Sequence, residues 1–369
     1  MANKKNTMKG SLKRRQLLGG LVAGSFMAGV ASPPAYATGK RRLKMVTTWP
    51  KNFPGLGTAV ENLAKNIRAM SDGTLDIKIF AAGELVGAFE SFDAVSTGTA
   101  DMYNGAEYYW QGKSPAFNFF TAVPFGMTAD ELIAWINFGG GQQLWEELSA
   151  RFNIIAFQSA NSGVQMGGWY NREIVTLDDF KGLKIRMPGL GGEVMRRLGA
   201  AAVALPGGEI FPSMKSGAID AAEWVGPWND LAFGFYQVAK FYYCPGIQEP
   251  GAGLATGINL DVWNSFTPSQ QAIIRAACMA ENEYTFSEYN YKNAVALNTL
   301  INRHKVQIRS FSPEIMRTLK QTSHAVLAEI ASHDAFTRKV YESFRASLEN
   351  SMRWGAQSTE PYTKARRDL

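Results

Sequence analysis

The residues best placed to do chemistry are one arginine and two glutamates. Arg186 is the penultimate residue of an alternating segment, Leu183-Lys184-Ile185-Arg186-Met187, stopped by Pro188-Gly189. Its guanidinium is a planar fork that matches a carboxylate. The ordinary alternative is a solvated charge, since Lys184 falls on the same strand face. Glu223 precedes Trp224 and is flanked by Ala221-Ala222 and Val225-Gly226. A carboxylate in so apolar a strand needs a partner once buried. Glu249, between Ile247 and Pro250, is in a similar position. If the three converge on an anionic ligand, one guanidinium faces three negative charges and a bound cation is favoured. Oxygen ligands point to a sodium or calcium ion. Gln165 lies in a Gly- and Ser-rich stretch at 159–168. It can donate and accept hydrogen bonds and so touch both ligand and metal, although a loop glutamine is ordinarily solvent-exposed.

Other chemistries lack their residues. Gly189-Leu190-Gly191 follows a strand and opens a helix, but Val194 stands where a dinucleotide fingerprint needs its third glycine. The three histidines, His304, His324 and His333, lie far in sequence from the strand ends, and no HExxH, CxxC, GxSxG or phosphate loop occurs. An enzyme acting on a small carboxylate, with Glu223 or Glu249 as base, is the competing reading. A sensory ligand-binding module is a third.

The elements that must position these groups follow from periodicity. Residues 182–226 read as strand, helix, strand, helix, strand, with strands at 183–187, 202–205 and 221–225. Strands separated by helices of this length imply a parallel sheet, and ligands sit at the carboxyl ends of such strands. Residues 43–104 repeat the pattern, with strands at 43–48, 75–80 and 101–104 and helices at 58–70 and 83–97. Further helices are expected at 129–137 and up to about 151, and a strand at 154–158. The stretches 159–168 and 246–257 read as crossings between two lobes. A helix from 268 to about 304 is far above the usual length and must brace both lobes or reach a partner. A strand at 306–311 and two closing helices follow. The fold class is therefore α/β, a two-lobed clamp.

The net charge of +6 resides at the start of the chain. Residues 1–37 hold Lys4, Lys5, Lys9, Lys13, Arg14 and Arg15 and no acid, and their removal takes the basic count from 38 to 32, equal to the 32 acidic residues. A nucleic-acid surface is unsupported. Lys13-Arg14-Arg15-Gln16-Leu17-Leu18, a Gly/Ala-rich apolar stretch and Ala35-Tyr36-Ala37 form the three parts of a twin-arginine export signal over 1–37, which implies a periplasmic protein. The two cysteines, Cys244 and Cys278, can pair or remain as buried thiols.

On Lys184-Ile185-Arg186-Met187-Pro188-Gly189, Ser216-Gly217-Ala218-Ile219-Asp220-Ala221 and Glu223-Trp224-Val225-Gly226-Pro227, the mature chain resembles the solute-binding proteins of tripartite ATP-independent periplasmic (TRAP) transporters. The resemblance implies a two-lobed periplasmic binding protein fold of type II-like clamp form, with crossing strands and a long helix spanning both lobes. It divides the chain into lobe I at 38–160 plus about 252–305, and lobe II at 161–251 plus about 306–345. Residues 346–369 form a C-terminal helix and tail, a possible homodimer contact. The run at 242–251 and the Glu-Trp pair resemble the branch that binds 2-oxo or 2-hydroxy monocarboxylates with a metal ion. It implies Arg186 on the ligand carboxylate, with Gln165, Trp224, Glu249 and Tyr109 around the ligand and Gln165, Glu223 and Trp224 around the metal. The aromatic run Tyr108-Tyr109-Trp110 is expected to wall the pocket. The implied partner is the membrane permease.

Overall fold

The structure, a computed structural model, describes residues 39–368; the export signal expected at 1–37 lies outside them. In chain order the first half contains β1 (Arg41–Thr47), α1 (Leu56–Met70), β2 (Leu75–Phe80), α2 (Ser91–Ser96), β3 (Met102–Gly105), α3 (Ala129–Phe138), α4 (Gly141–Ala150) and β4 (Ile154–Asn161). The chain then forms β5 (Gly168–Tyr170), β6 (Lys184–Arg186), α5 (Gly189–Arg197), β7 (Ala201–Val203), α6 (Gly207–Ser216), β8 (Ala221–Ala222), α7 (Pro227–Phe233) and β9 (Phe241–Cys244). It ends in β10 (Gly253–Asn259), α8 (Leu260–Asn264), α9 (Pro268–Asn302), β11 (Gln307–Ser310), α10 (Pro313–Ala331), α11 (Ala335–Gly355) and α12 (Thr359–Asp368).

Two sheets result, ordered β2-β1-β3-β10-β4 and β11-β9-β5-β8-β6-β7. Within each, strands joined by helices run parallel, as the alternating strand and helix pattern requires. The exceptions are β10 in the first sheet and β5 in the second, which pair antiparallel with both neighbours. Each is the first strand after the chain crosses between sheets, through 162–167 and 245–252. The fold is thus the two-lobed α/β clamp, with mixed rather than wholly parallel sheets.

Several elements differ from expectation, for local reasons. The helix expected at 83–97 is reduced to a 3-10 turn at Ala88–Glu90 and the short α2, because Gly83 adopts φ 83° and Glu84 caps the Ala81 N–H. The crossing expected at 246–257 ends early, since 253–257 belong to the buried central strand β10. Its glycines look like loop punctuation but serve close packing: a Cβ at Gly257 would lie 2.0 Å from the Tyr103 ring. Strand β9 carries no alternation to announce it. Strand β8 stops at Ala222, so Glu223-Trp224-Val225 emerge beyond the hydrogen-bonded ladder.

Helix α9 is capped by Thr267 and Gln270, with Pro268 in its first turn. Its 35 residues give a rod of about 52 Å. It packs on β4 and α1 of the first lobe and on α7 of the second. Helix α10 packs on α5, while α11 returns to α3 and α4, and α12 buries none of its residues. Cys244 and Cys278 are both free, and burial pushes the Cys278 thiol up to about 12. Among the described residues no helix is long and apolar enough to cross a membrane.

Candidate functional site

The end of β6 delivers Arg186 into the interior. Lys184 on the same strand face is exposed, whereas Arg186 is fully buried. The difference arises at the strand's end, where the guanidinium meets partners on both lobes. Its Nη1 donates to the main-chain oxygen of Glu223 at 2.9 Å and to the Glu223 carboxylate. Nε donates to the Leu205 carbonyl at 3.2 Å, and Nη2 to the Tyr109 hydroxyl across the lobes at 3.3 Å. The Trp224 ring lies 5.1 Å from the guanidinium carbon. Residues 223–225, released from the sheet, thus lie where both lobes can touch them.

The crossings bring the other candidates in. The Gln165 N–H donates to the Glu249 carbonyl at 3.1 Å, and the Gly246 N–H to the Gln165 carbonyl at 2.8 Å. The two crossing segments are therefore zipped side by side, which puts Gln165 beside Glu249. Tyr108 and Tyr109 come from a 3-10 turn at the end of β3. Trp110, expected to wall the pocket with them, instead packs in the first lobe's core against Phe92 and Tyr103, its indole N–H on the Phe89 carbonyl.

Trp49, Leu56, Tyr108, Tyr109, Ser162, Gln165, Trp224, Val225, Glu249 and Leu254 enclose a cavity of about 10 Å³, room for about one water. Arg186 and Glu223 do not line it; they stand against its Tyr109 and Trp224 walls. Two roomier clefts, about 460 and 430 Å³, lie against α10 and contain none of the expected site residues. We place the site in the small cavity because three buried polar groups left without partners line it, with Arg186 and Glu223 behind its walls. The three groups are the Gln165 Oε1, the Glu249 Oε2 and the Trp224 indole N–H. Unsatisfied groups of this kind are rare in native interiors and cost free energy unless something meets them.

The electrostatics favour a cation. Burial pushes the Glu223 carboxyl up to about 7, against the pull of Arg186. Burial, then the neighbouring Glu223, raise Glu249 well above the usual carboxylate range, against Arg186 and the Tyr108 hydroxyl. Two carboxylates thus share one guanidinium. Among the described residues no cluster of three or more His, Cys, Asp or Glu is assembled, and the cavity's lining holds no cysteine or histidine, so neither thiolate nor imidazole is on offer there. Carboxylate, amide and main-chain oxygens are, and they suit a hard cation such as sodium or calcium. Trp224 can contribute only its carbonyl to such an ion, its indole being a donor. That N–H suits an anion.

Sequence reasoning missed Trp49, Leu56, Ser162, Val225, Leu254 and Gln248. Trp49 is fixed by its indole bond to Asn104 Oδ1 at 2.7 Å and lies edge-on to Trp224 at 6.2 Å. Gln248 Nε2 holds the Met166 carbonyl at 2.9 Å and lies 3.5 Å from Glu223 Oε2. The Trp49-Pro50 stop after a strand was the available signal for the first; the others carry none, being ordinary residues gathered by the crossings.

Known proteins share this fold. The model of the bacterial extracellular solute-binding proteins, family 7, matches residues 45–334. A monocarboxylate 2-oxoacid-binding periplasmic protein of Nostoc sp. is 42% identical over 313 residues, 85% of each chain. A TRAP periplasmic solute-binding protein of Pseudoalteromonas atlantica, with bound sodium and pyruvate, superposes with a TM-score of 0.86 at 38% identity, covering 88% of this chain and 99% of the other. A TRAP solute-binding protein of Bordetella bronchiseptica, a dimer with calcium and picolinate in one active site, gives 0.86 at 34% identity, covering 89% and 99%. The chain belongs to family 7 of the bacterial extracellular solute-binding proteins, the binding proteins of TRAP transporters.

Proposed function

We propose that the chain captures a small 2-oxo or 2-hydroxy monocarboxylate, pyruvate-like or lactate, together with a sodium or calcium ion, and hands it to a membrane permease. The observation that carries this reading is the cavity's set of unmet groups, two acceptor oxygens and one indole donor, beside a guanidinium outnumbered by carboxylates. Arg186, whose Nη2 donates to the Tyr109 hydroxyl at the cavity wall, would take the ligand carboxylate. Gln165, Glu223 and the Trp224 carbonyl would hold the cation, and Glu249 would serve ligand and cation together. The ion would supply the positive charge that lets a ligand anion sit near two acids. Trp49, Trp224 and Leu56 exclude water, so each charge interaction is worth more than at the surface.

Periplasmic location and delivery to a permease follow the relatives, as does export by the signal at 1–37. A homodimer through 346–369 belongs to the same reading. It is supported by the exposed Met352, Trp354 and Tyr362 and by the dimeric Bordetella relative.

A thermal-denaturation panel with the cation present tests the proposal. Pyruvate, 2-oxobutyrate and lactate should raise Tm by several degrees at millimolar concentration, since ligand binding to the folded state stabilises it, and should be recovered unchanged. A flat response to every monocarboxylate would remove the ligand class, and turnover would favour an enzyme. Sedimentation of the same samples at the mass of one chain would remove the dimer.

A further inference from the structure

Three elements from different parts of the clamp meet at one buried amide. Asn229, in α7 of the second lobe, is fully buried. Its Nδ2 donates to the Pro54 carbonyl at 2.8 Å, in the loop that opens α1 of the first lobe. Its Oδ1 accepts the Tyr289 hydroxyl at 2.7 Å, from the middle of α9. A carbonyl can only accept, so the amide must present its NH2 to Pro54. Close packing pins the junction. Gly55 has φ 72°, and a Cβ there would lie 2.5 Å from the Tyr289 oxygen. The Trp228 ring lies edge-on to Tyr289 at 5.3 Å, and the Trp228 N–H donates to Asn293 Oδ1 at 3.0 Å.

Both ends of this junction are one short step from the ligand cavity. Leu56, two residues after Pro54, and Val225, four residues before Asn229, line it. The adjacent Asp230 anchors α7 to its own sheet through Trp169 and Tyr242. The bond to Pro54 is therefore one that lobe opening must break, whereas the Asp230 bonds are not.

We propose that Asn229 is a closure latch, a positioning residue that ties the loop opening α1 to α7 and α9 and holds the lobes shut on captured ligand. This rests on the reading that ligand is held between the lobes. Opening exposes the Pro54 carbonyl and the Tyr289 hydroxyl to water, so loss of the amide harms only the closed state and appears in the release rate.

The test is stopped-flow release of pyruvate from calcium-loaded protein for the unaltered chain, Asn229→Ala, Tyr289→Phe and the double variant. Asn229→Ala should release roughly tenfold faster, and Tyr289→Phe roughly threefold, the scale of one or two net hydrogen bonds, with association within twofold. The double variant should be no faster than Asn229→Ala, because the hydroxyl acts through the amide. Unchanged release, or effects that multiply, would overturn the latch. If Asn229→Ala does not fold, Tyr289→Phe, which keeps its ring, decides alone. If the unaltered chain binds no pyruvate, the ligand reading fails separately. The latch is then judged by hydrogen exchange without ligand: Asn229→Ala should speed exchange over 53–60 and 226–234, and equal protection there would overturn it.

Discussion

Glu223 and Asp230 lie seven residues apart, are both fully buried, and both have their carboxyls raised by burial, to about 7 and about 6. Their surroundings differ. Asp230 Oδ2 accepts the Trp169 indole N–H at 2.9 Å and the Tyr242 hydroxyl at 2.6 Å, while Oδ1 takes the Val225 N–H at 3.4 Å. All these donors belong to one lobe, and nothing is left over for a ligand. Glu223 has Arg186 on one oxygen and only the 3.5 Å approach of Gln248 on the other, with Glu249 nearby holding an unmet oxygen. A buried acid whose acceptors are filled is scaffold. An excess of acid whose acceptors are not filled, at the junction of two lobes, is a site.

Removing Arg186 should break the contrast most severely. In Arg186→Ala two buried carboxylates lose their only cation, and unfolding free energy should fall by about 3–5 kcal/mol, the scale for a buried pair deprived of one partner. Ligand binding should weaken at least about thirtyfold, some 2 kcal/mol. Urea unfolding and calorimetry report the two effects, and unchanged affinity in a folded variant would take Arg186 out of the site.

Asp230 sharpens the contrast from the other side. Below about pH 3.8 the carboxyl is protonated in folded and unfolded chains alike. Between 3.8 and about 6 the unfolded chain releases the proton while the folded chain keeps it, so this group's contribution falls as pH rises. The stability of the unaltered chain relative to Asp230→Asn should therefore decline by on the order of 2 kcal/mol from pH 4 to 6 and then level. Pyruvate affinity should change less than about threefold, the scale of a fraction of a hydrogen bond. A flat difference across that window, or lost binding with stability intact, would place Asp230 with the functional acids.

Much of the second lobe was legible because local patterns and tertiary structure agree there. The alternation around Ile185, the Pro188-Gly189 stop and the Ala221-Ala222 strand all appear where periodicity put them. The glutamate in an apolar strand flagged Glu223, and its burial demanded the partner it has. Arg186 was ambiguous, since Lys184 shares its strand face and only packing against the other lobe distinguishes them. The crossings were legible as glycine-rich interruptions but not in extent, because β10 uses Gly257 to admit the Tyr103 ring. Leu254 and Ser162 were beyond reach, as their places depend on which crossing lies beside which strand.

An unmet acid at the lobe junction calls for a cation. Calorimetric titration of pyruvate into metal-stripped mature protein, with and without calcium or sodium, tests it most directly when run beside Glu249→Gln. Micromolar binding by the unaltered chain that weakens at least tenfold without the ion, and a smaller dependence on the ion in Glu249→Gln, are the expected results. Equal pyruvate affinity with and without either ion would contradict the claim.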